Sequence, residues 1–163
     1  MNELSEILER FRRGPELLAV ATTGAAGSEV DFAPAPGKWS VRQIVCHLAD
    51  TELVMAARIR KILAENEPRM EAFDQNAWAE HLDYSRRKLS HAIEAFRFIR
   101  TDSYDLIKDL PAAAFERAGM HAERGRITLG DLVRISAEHV EKHAVQIRNV
   151  RAAFKEAKKA AQG

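Results

Sequence analysis

The chain has 163 residues, of which 46% are hydrophobic and 30% charged, proportions that are typical of a globular protein and exclude a disordered one. The 25 basic and 24 acidic side chains leave a net charge of +1, which argues against a nucleic-acid partner because nucleic-acid binding needs a basic surface. This length suits one domain, so we expect a single domain over residues 1–163.

Cysteine content and hydropathy restrict where the protein is expected to work. The single cysteine, Cys46, excludes an internal disulfide and favours a reducing, cytoplasmic compartment. The segment MNELSEILERFRRGPE carries charges throughout and lacks the apolar centre of a signal peptide. No run of about 18 apolar residues occurs, so we expect no membrane span.

The first predicted helix runs from about Asn2 to Thr23, because apolar side chains recur along it at helical spacing. Gly14 and Pro15 interrupt this pattern and are expected to kink or split the helix. A connection rich in glycine and proline follows, over residues 24–37. It is long enough to cross the end of a helical bundle, so a simple up-and-down order of helices does not follow from the sequence.

The second predicted helix begins in the segment KWSVRQI. Ser40 can cap this helix, and Gln43 stands at the third position that completes a capping box. Trp39 and Ile44 occupy the positions of a hydrophobic staple. The apolar stripe fades near Glu65, and the loop that follows, NEPRMEAFDQNAWAEH, carries aromatic residues that are expected to pack over the bundle.

The third predicted helix runs from about Asp83 to Leu110, where Pro111 ends it. The polar segment MHAERGR, residues 120–126, is predicted to be a loop.

The fourth predicted helix follows Thr128, which caps it with Asp131 at the third position, and extends to about Lys159. Strand signals are almost absent from the chain. Four long amphipathic helices in one domain predict an all-α fold, a four-helix bundle.

Two histidines lie four residues apart in the fourth predicted helix, in the segment HVEKH (139–143). The apolar stripe passes through both, so His139 and His143 are expected to point toward the core from the same face. Burying two imidazoles costs free energy unless each finds a partner, and one metal ion partners both. His47 lies at the edge of the stripe of the second helix, so two facing helices would bring three nitrogens together. Three protein ligands with an open position are typical of a catalytic metal site.

Each of these histidines has an alternative interpretation. A single histidine on a buried face is more often a hydrogen-bonded core residue than a ligand. The pattern H-x-x-x-H in a helix also occurs often by chance. Spacing and periodicity therefore leave both the metal site and the packing role open.

Two regions of the chain resemble the signature regions of the DinB-like family. GKWSVRQIVCHLADTE (37–52) is similar to P-x-x-W-S-x-x-x-x-x-x-H-L-x-D-x-E, and HAERGRITLGDLVRISAEHVEKHAVQI (121–147) is similar to H-P-E-x-G-x-x-T-L followed by H-x-x-x-H and Q-I. FDQNAWAE (73–80) also looks like the family. Two departures stand out: Ala122 replaces the family proline, and Lys142 precedes His143 where many members have a histidine pair.

The resemblance implies a four-helix bundle in which His47, His139 and His143 bind a divalent metal ion, commonly zinc or nickel. It also implies an enzyme acting on a small-molecule substrate, either a thiol-dependent S-transferase that uses a low-molecular-weight thiol or a hydrolase. The alternative is a non-catalytic stress-response bundle that binds a metal or a small ligand. Relatives in this family are often dimers, so a homodimer is a further expectation.

Four polar residues near the histidines are weaker candidates. Asp50 and Glu52 would orient a ligand or a water, although an exposed charge or a pair with Arg58 or another arginine is the more frequent role. Gln146 and Glu138 flank the histidine pair and are candidates for contacts behind the ligands.

The remaining candidates concern the surroundings of the site. Cys46 is interpreted as a small packing residue, with a thiolate near the metal as the alternative. His121 is a candidate for the entrance of the site. Phe73 and Trp78 are expected to cover an apolar pocket between the helices. Two further histidines are assigned to the surface: His81 and His91.

Overall fold

The computed structural model describes residues 2–163 and contains four main helical segments. The first predicted helix is split, as its sequence indicated, into α1 (Glu3–Arg12) and α2 (Gly14–Thr22). A short helix, α3 (Ser28–Asp31), interrupts the connection that follows. The other long helices are α4 (Val41–Ala64), α6 (Leu89–Ile107) and α7 (Leu129–Ala160), and a short helix, α5 (Gln75–His81), lies between α4 and α6.

The order of the helices around the bundle differs from their order along the chain. α4 packs against α6 and α7, and α2 packs against the same two helices. The first helical segment, α1 with α2, therefore lies diagonally across the bundle from the second, α4. The connection between them passes over one end of the bundle. This arrangement faces α4 directly toward α7, which carries the histidine pair.

Local hydrogen bonds explain where α4 and α7 begin. The Ser40 amide donates to Oε1 of Gln43 at 2.9 Å, and the Gln43 amide donates to Oγ of Ser40 at 3.3 Å. Thr128 and Asp131 exchange the same two hydrogen bonds at 3.0 Å each. Both predicted capping boxes are confirmed, and they fix the first turns of the two helices that carry the site.

The prediction that the third helix begins near Asp83 is wrong by six residues, since α6 begins at Leu89. The backbone of Asp83 has a φ of +48°, in the left-handed region that a helix interior does not allow. The Tyr84 amide donates to the carbonyl of Ala79 at 3.2 Å, which closes a turn after α5. Tyr84 is thereby buried, at 1% exposure, and this packing decides the boundary.

The segment predicted as a loop at 120–126 forms most of a β-hairpin. Strands β2 (Ala118–His121) and β3 (Gly125–Thr128) pair antiparallel, and β1 (Arg69–Met70) pairs parallel with β2. The sheet order is β1-β2-β3. Strands of two to four residues are too short for an alternating pattern to be read from the sequence, which explains the missed sheet. A 3₁₀ helix, Ala112–Glu116, precedes β2.

The apolar core consists of two clusters that meet at Arg100. One cluster contains Phe96 and the other contains Phe11. The guanidinium of Arg100 lies 4.2 Å from the ring centre of Phe11 and 4.9 Å from that of Phe96. Gly14 allows this close approach, because a Cβ there would collide with the guanidinium.

Within residues 2–163, none of the helices is long and apolar enough to cross a membrane.

Candidate metal site

Three imidazoles meet between α4 and α7. Nε2 of His47 lies 3.0 Å from Nε2 of His139, which lies 3.1 Å from Nε2 of His143. Their candidate ligand atoms all lie within 4.8 Å of one another. Nitrogens bound to one tetrahedral zinc ion at about 2.0–2.1 Å stand about 3.3 Å apart. The donor set and its spacing therefore fit one divalent ion of the kind that imidazole prefers.

The secondary structure explains how the three rings reach one point. The spacing of four residues places His139 and His143 one turn apart on the face of α7 that looks toward α4. His47 lies in the second turn of α4 and is 2% exposed. Its ring lies 5.0 Å from that of Trp39, which precedes the helix cap. The structure thus brings together all three histidines that the sequence singled out.

The three rings are held in the neutral form that a metal ligand requires. Burial, followed by the charge of His143, lowers the pKa of His47 to about 4. Burial, followed by the charges of His143 and His47, lowers the pKa of His139 to about 3. Burial also lowers the pKa of His143, although the hydrogen bond that its ring donates to Gln146 acts in the opposite direction. At neutral pH each ring therefore has a lone pair to offer to a cation.

A hydrogen bond to Gln146 orients one of the rings. Nδ1 of His143 lies 2.6 Å from Oε1 of Gln146, so the amide oxygen accepts the ring proton and leaves the Nε2 lone pair free. Gln146 was one of the two candidates for this role, whereas the other, Glu138, is exposed and forms no hydrogen bond with the three rings. Thr51, which the sequence reasoning missed, lies with Oγ1 3.5 Å from Nδ1 of His47. In the sequence, Thr51 could have been identified by its position four residues after His47.

Asp50 belongs to a buried network beside the site. Its carboxylate accepts a hydrogen bond from the Tyr84 hydroxyl at 2.7 Å and from Nη1 of Arg87 at 2.8 Å. Burial, followed by the hydrogen bond to Asp50, raises the pKa of Tyr84. Asp50 therefore forms an ion pair with an arginine, which is the role expected to be the more frequent one. Asp50 is buried, however, and its partner is Arg87 and not Arg58.

Glu52 is likewise committed to an ion pair. Its two oxygens accept hydrogen bonds from Nε and Nη2 of Arg100 at 2.6 and 2.7 Å. Arg100 is 1% exposed and also donates to the carbonyls of Phe11 and Ser136. This pair connects α4, α6 and α7 one turn away from the histidines. Because both oxygens accept hydrogen bonds from Arg100, we assign Glu52 to the scaffold and not to the ligand set.

The other candidates fall into three groups. Cys46 is fully buried with Sγ 3.8 Å from the carbonyl of Tyr84, and burial raises the pKa of its thiol, so it is a packing residue. His81 and His91 are exposed, as predicted. His121 is buried in β2 and lines the cavity beside the site, with Nδ1 accepting a hydrogen bond from the amide of Glu123 at 3.2 Å.

A cavity of about 250 Å³ lies against His47 and His139. Phe73 lines it, and Trp78 packs behind Phe73 with ring centres 4.8 Å apart. The expectation of an apolar pocket is only partly correct, because charged groups line it as well. They include Arg58, Arg124 and Glu123.

Sequence comparison agrees with this architecture. A sequence model of the DinB superfamily matches residues 10–147, which is most of the chain. The chain belongs to the DinB superfamily. The family expected from the two sequence motifs is therefore confirmed.

Two relatives carry names that refer to metal. A protein of Oceanobacillus iheyensis, named provisionally as a metal-dependent hydrolase, is 26% identical over 144 residues, which are 88% of this chain and 83% of the relative. YfiT of Bacillus subtilis, named in the same way, is 27% identical over 134 residues, which are 82% of this chain and 75% of YfiT.

Solved structures show the same fold. The structure of YfiT, described as having an unusual four-helix bundle topology, matches with a TM-score of 0.87 at 23% identity and covers 95% of this chain and 90% of YfiT. A mycothiol-dependent maleylpyruvate isomerase matches with a TM-score of 0.72 at 14% identity, over 90% of this chain and 61% of the isomerase. The predicted four-helix bundle is therefore confirmed.

Proposed function

We propose that this protein is a metal-dependent enzyme that holds one divalent ion, zinc or nickel, through His47, His139 and His143. The observation that carries the proposal is the convergence of three neutral Nε2 atoms beside a cavity of about 250 Å³. Three protein ligands leave a position for a substrate or nucleophile. The names of the two relatives, which refer to metal-dependent hydrolysis, support the same reading.

The chemistry divides between the ion and the surrounding residues. A divalent ion in this position supplies Lewis acidity, which polarises a substrate and lowers the pKa of a water or thiol that coordinates it. Gln146 holds the ring of His143 so that its Nε2 faces the other two. The Glu52–Arg100 pair fixes α4 against α7, which keeps His47 opposite His139. Phe73, with Trp78 behind it, restricts the access of water to the cavity.

Two nucleophiles are compatible with this site, and we propose either hydrolysis by water or transfer of a low-molecular-weight thiol. The names of the relatives favour hydrolysis. The shared fold of the mycothiol-dependent isomerase favours thiol chemistry, since that enzyme depends on a small thiol. The substrate in either case is a small molecule that fits the cavity. A homodimer and a cytoplasmic location, both expected from the sequence, stay predictions.

Metal content is the first test. Elemental analysis of protein without a histidine tag should find about one zinc or nickel ion per chain, because the three rings form one site. The double variant His139→Ala/His143→Ala should contain none, and the exposed-histidine variant His91→Ala should match the wild type. Wild-type protein that takes up no ion even after reconstitution would overturn the proposal.

Turnover distinguishes an enzyme from a binding protein. Protein loaded with zinc or nickel should convert a member of a panel of esters, amides and electrophilic alkyl halides, offered with and without small thiols. Turnover that requires a thiol identifies the transferase, and turnover in water alone identifies the hydrolase. Loaded protein with no turnover across the panel would support the alternative, a non-catalytic metal- or ligand-binding bundle.

A further inference from the structure

The cavity beside the histidines contains two arginines with no acidic partner. Arg58 is half-buried on α4, and Arg124 is exposed in the turn between β2 and β3. Both line the cavity together with His47 and His139. Across residues 2–163, no carboxylate oxygen approaches either guanidinium within 4.0 Å. Two carboxylates also line the cavity, but Glu52 is paired with Arg100 and Glu123 forms an ion pair with neither arginine, so Arg58 and Arg124 both stay unpaired beside the proposed metal site.

Other half-buried arginines of this chain are neutralised. Arg42 pairs with Asp31 at 2.7 Å, and Arg151 pairs with Glu29 at 2.7 Å. Arg58 instead donates to the carbonyl of Glu71 and to the sulfur of Met55, at 2.5 and 3.6 Å. A guanidinium has five N–H donors, so Arg58 keeps donors for a further acceptor. Its environment differs from that of the arginines that serve the scaffold.

The charges within the cavity repel one another. Burial, followed by the charge of Arg124, lowers the pKa of Arg58. Burial, followed by the charges of Arg58 and Arg124, also lowers the pKa of His121. Glu123 and Glu71 lie near enough to oppose this effect on His121, but they do not pair with the two arginines. An anion that entered the cavity would relieve this repulsion.

Two further groups line the cavity and can bind a polar ligand. Nδ1 of His121 accepts a hydrogen bond from the backbone, so the ring proton lies on Nε2, where it is free to be donated. Oγ of Ser136 is buried and, in the described part of the chain, has no hydrogen-bond partner. Ser136 is 2% exposed and precedes His139 by one turn of α7. A buried hydroxyl without a partner is costly unless a ligand supplies one.

We infer that Arg58 and Arg124 form a carboxylate-binding subsite of this cavity, so that a molecule bound at the histidine site carries a carboxylate. This inference rests on the proposed function for the identity of the neighbouring site. The planar fork of arginine matches the two oxygens of a carboxylate, and hydrogen bonds between charged groups are the strong ones. The carboxylate belongs either to the nucleophilic thiol or to the electrophilic substrate.

The first experiment uses metal-free protein, so it does not depend on the metal. Butyrate and its neutral counterpart butyramide are titrated while the arginine Nε–Hε signals are followed by NMR. We expect butyrate to bind at least about tenfold more tightly than butyramide. This ratio corresponds to the free energy that one charge-assisted hydrogen bond contributes. Arg58→Met and Arg124→Gln should each remove most of this preference, and Arg58→Lys should retain part of it.

A matched control and a second variant keep the test decisive. Arg86→Gln removes a charge whose side chain is 85% exposed, and it should leave the preference unchanged. Arg58→Met also removes a hydrogen bond to the loop, whereas Arg124 makes no hydrogen bond within residues 2–163, so we expect Arg124→Gln to keep the fold. Equal affinity for butyrate and butyramide, or a preference that survives in both variants, would overturn the inference.

The second experiment identifies which reactant carries the carboxylate. Nickel-loaded protein is titrated with 3-mercaptopropionate and with 3-mercaptopropanol, and the thiolate-to-nickel absorption is recorded. Tighter binding of 3-mercaptopropionate, lost in Arg124→Gln, assigns the carboxylate to the thiol. Equal binding of the two thiols, together with the preference for butyrate above, assigns it to the electrophile. Protein that takes up neither nickel nor zinc would refute the proposed function alone, because the metal-free titration still tests the subsite.

Discussion

At the scale of single residues, Gln146 decides which nitrogen of His143 faces its two neighbours. Its amide oxygen accepts the proton of Nδ1 at 2.6 Å, so the lone pair of Nε2 points into the site. Without this partner the ring is free to rotate or to change tautomer. Partners of this kind behind metal ligands contribute to affinity without touching the ion.

We therefore predict that Gln146→Leu lowers metal affinity about 10- to 100-fold, because the ring of His143 loses its orienting acceptor. Affinity is measured by competition with a chromophoric chelator. Asn149→Leu, which changes an exposed amide on the same helix, is the control and should keep wild-type affinity. Equal affinities for the two variants would show that Gln146 does not orient the ring.

The buried ion pair between Glu52 and Arg100 leads to a second prediction. Arg100→Met should destabilise the fold by about 3–5 kcal/mol, because it leaves the carboxylate of Glu52 buried without a partner. The double variant Glu52→Leu/Arg100→Met should recover part of that loss, since no unpaired charge remains. Urea unfolding measures both.

An exposed pair on the same helix provides the comparison. Arg97 and Glu94 form a hydrogen-bonded ion pair on the surface of α6. Arg97→Met should change the free energy of unfolding little, because exposed pairs are screened by water. A double variant as unstable as Arg100→Met would show that the loss comes from packing or from the carbonyl contacts of Arg100, and not from the charge of Glu52.

At the scale of secondary-structure elements, the small sheet depends on a glycine. Gly119 lies in β2 beside β1, and a Cβ at this position would lie 2.7 Å from the carbonyl oxygen of Pro68. This contact is with backbone, which cannot move without disturbing the pairing of the two strands. The sheet in turn carries His121 into the wall of the cavity.

We predict that Gly119→Ala destabilises the protein by about 1–3 kcal/mol, the usual cost of an added group in a packed region. Gly130→Ala is the matched control. Gly130 lies in the first turn of α7, and a Cβ there meets its nearest neighbour at 3.5 Å, an ordinary contact. Because alanine favours a helix, this variant should be stabilised by about 0.5–1 kcal/mol. The two changes should therefore shift the midpoint of urea unfolding in opposite directions.

At the scale of the whole molecule, the site connects helices that are distant in sequence. His47 belongs to α4 and the histidine pair to α7, and α4 packs directly against α7 because the long connection before it passes over the bundle end. A metal ion bound by all three rings would therefore hold two sides of the bundle together. Binding to the folded state alone must also stabilise it.

We predict that zinc or nickel at 100 times its dissociation constant stabilises the protein by about 2.7 kcal/mol. For a chain of this size, the midpoint of thermal unfolding should rise by about 5–10 °C. Thermal unfolding with and without chelator measures the shift. Magnesium, which prefers oxygen ligands, should produce no shift, and neither should zinc added to His47→Ala. An undiminished shift in His47→Ala would place the ion elsewhere.

The sequence by itself determined the features that depend on residues close together in the chain. The capping boxes at Ser40 and Thr128 involve residues three apart, and they set the starts of α4 and α7 without help from distant contacts. The common direction of His139 and His143 follows from the helical repeat. The break at Gly14 is also local, since proline at the next position starts a new helix.

Only the tertiary structure decided the features that depend on contacts across the chain. It brought His47 to the histidine pair, buried Tyr84 against Asp50 and so delayed the start of α6, and placed Arg58 beside Arg124 in one cavity. The hairpin escaped the sequence analysis because its strands are too short to show a period. Periodicity shows which face of an element is buried, but the partner that covers it is chosen by packing, which no local pattern encodes.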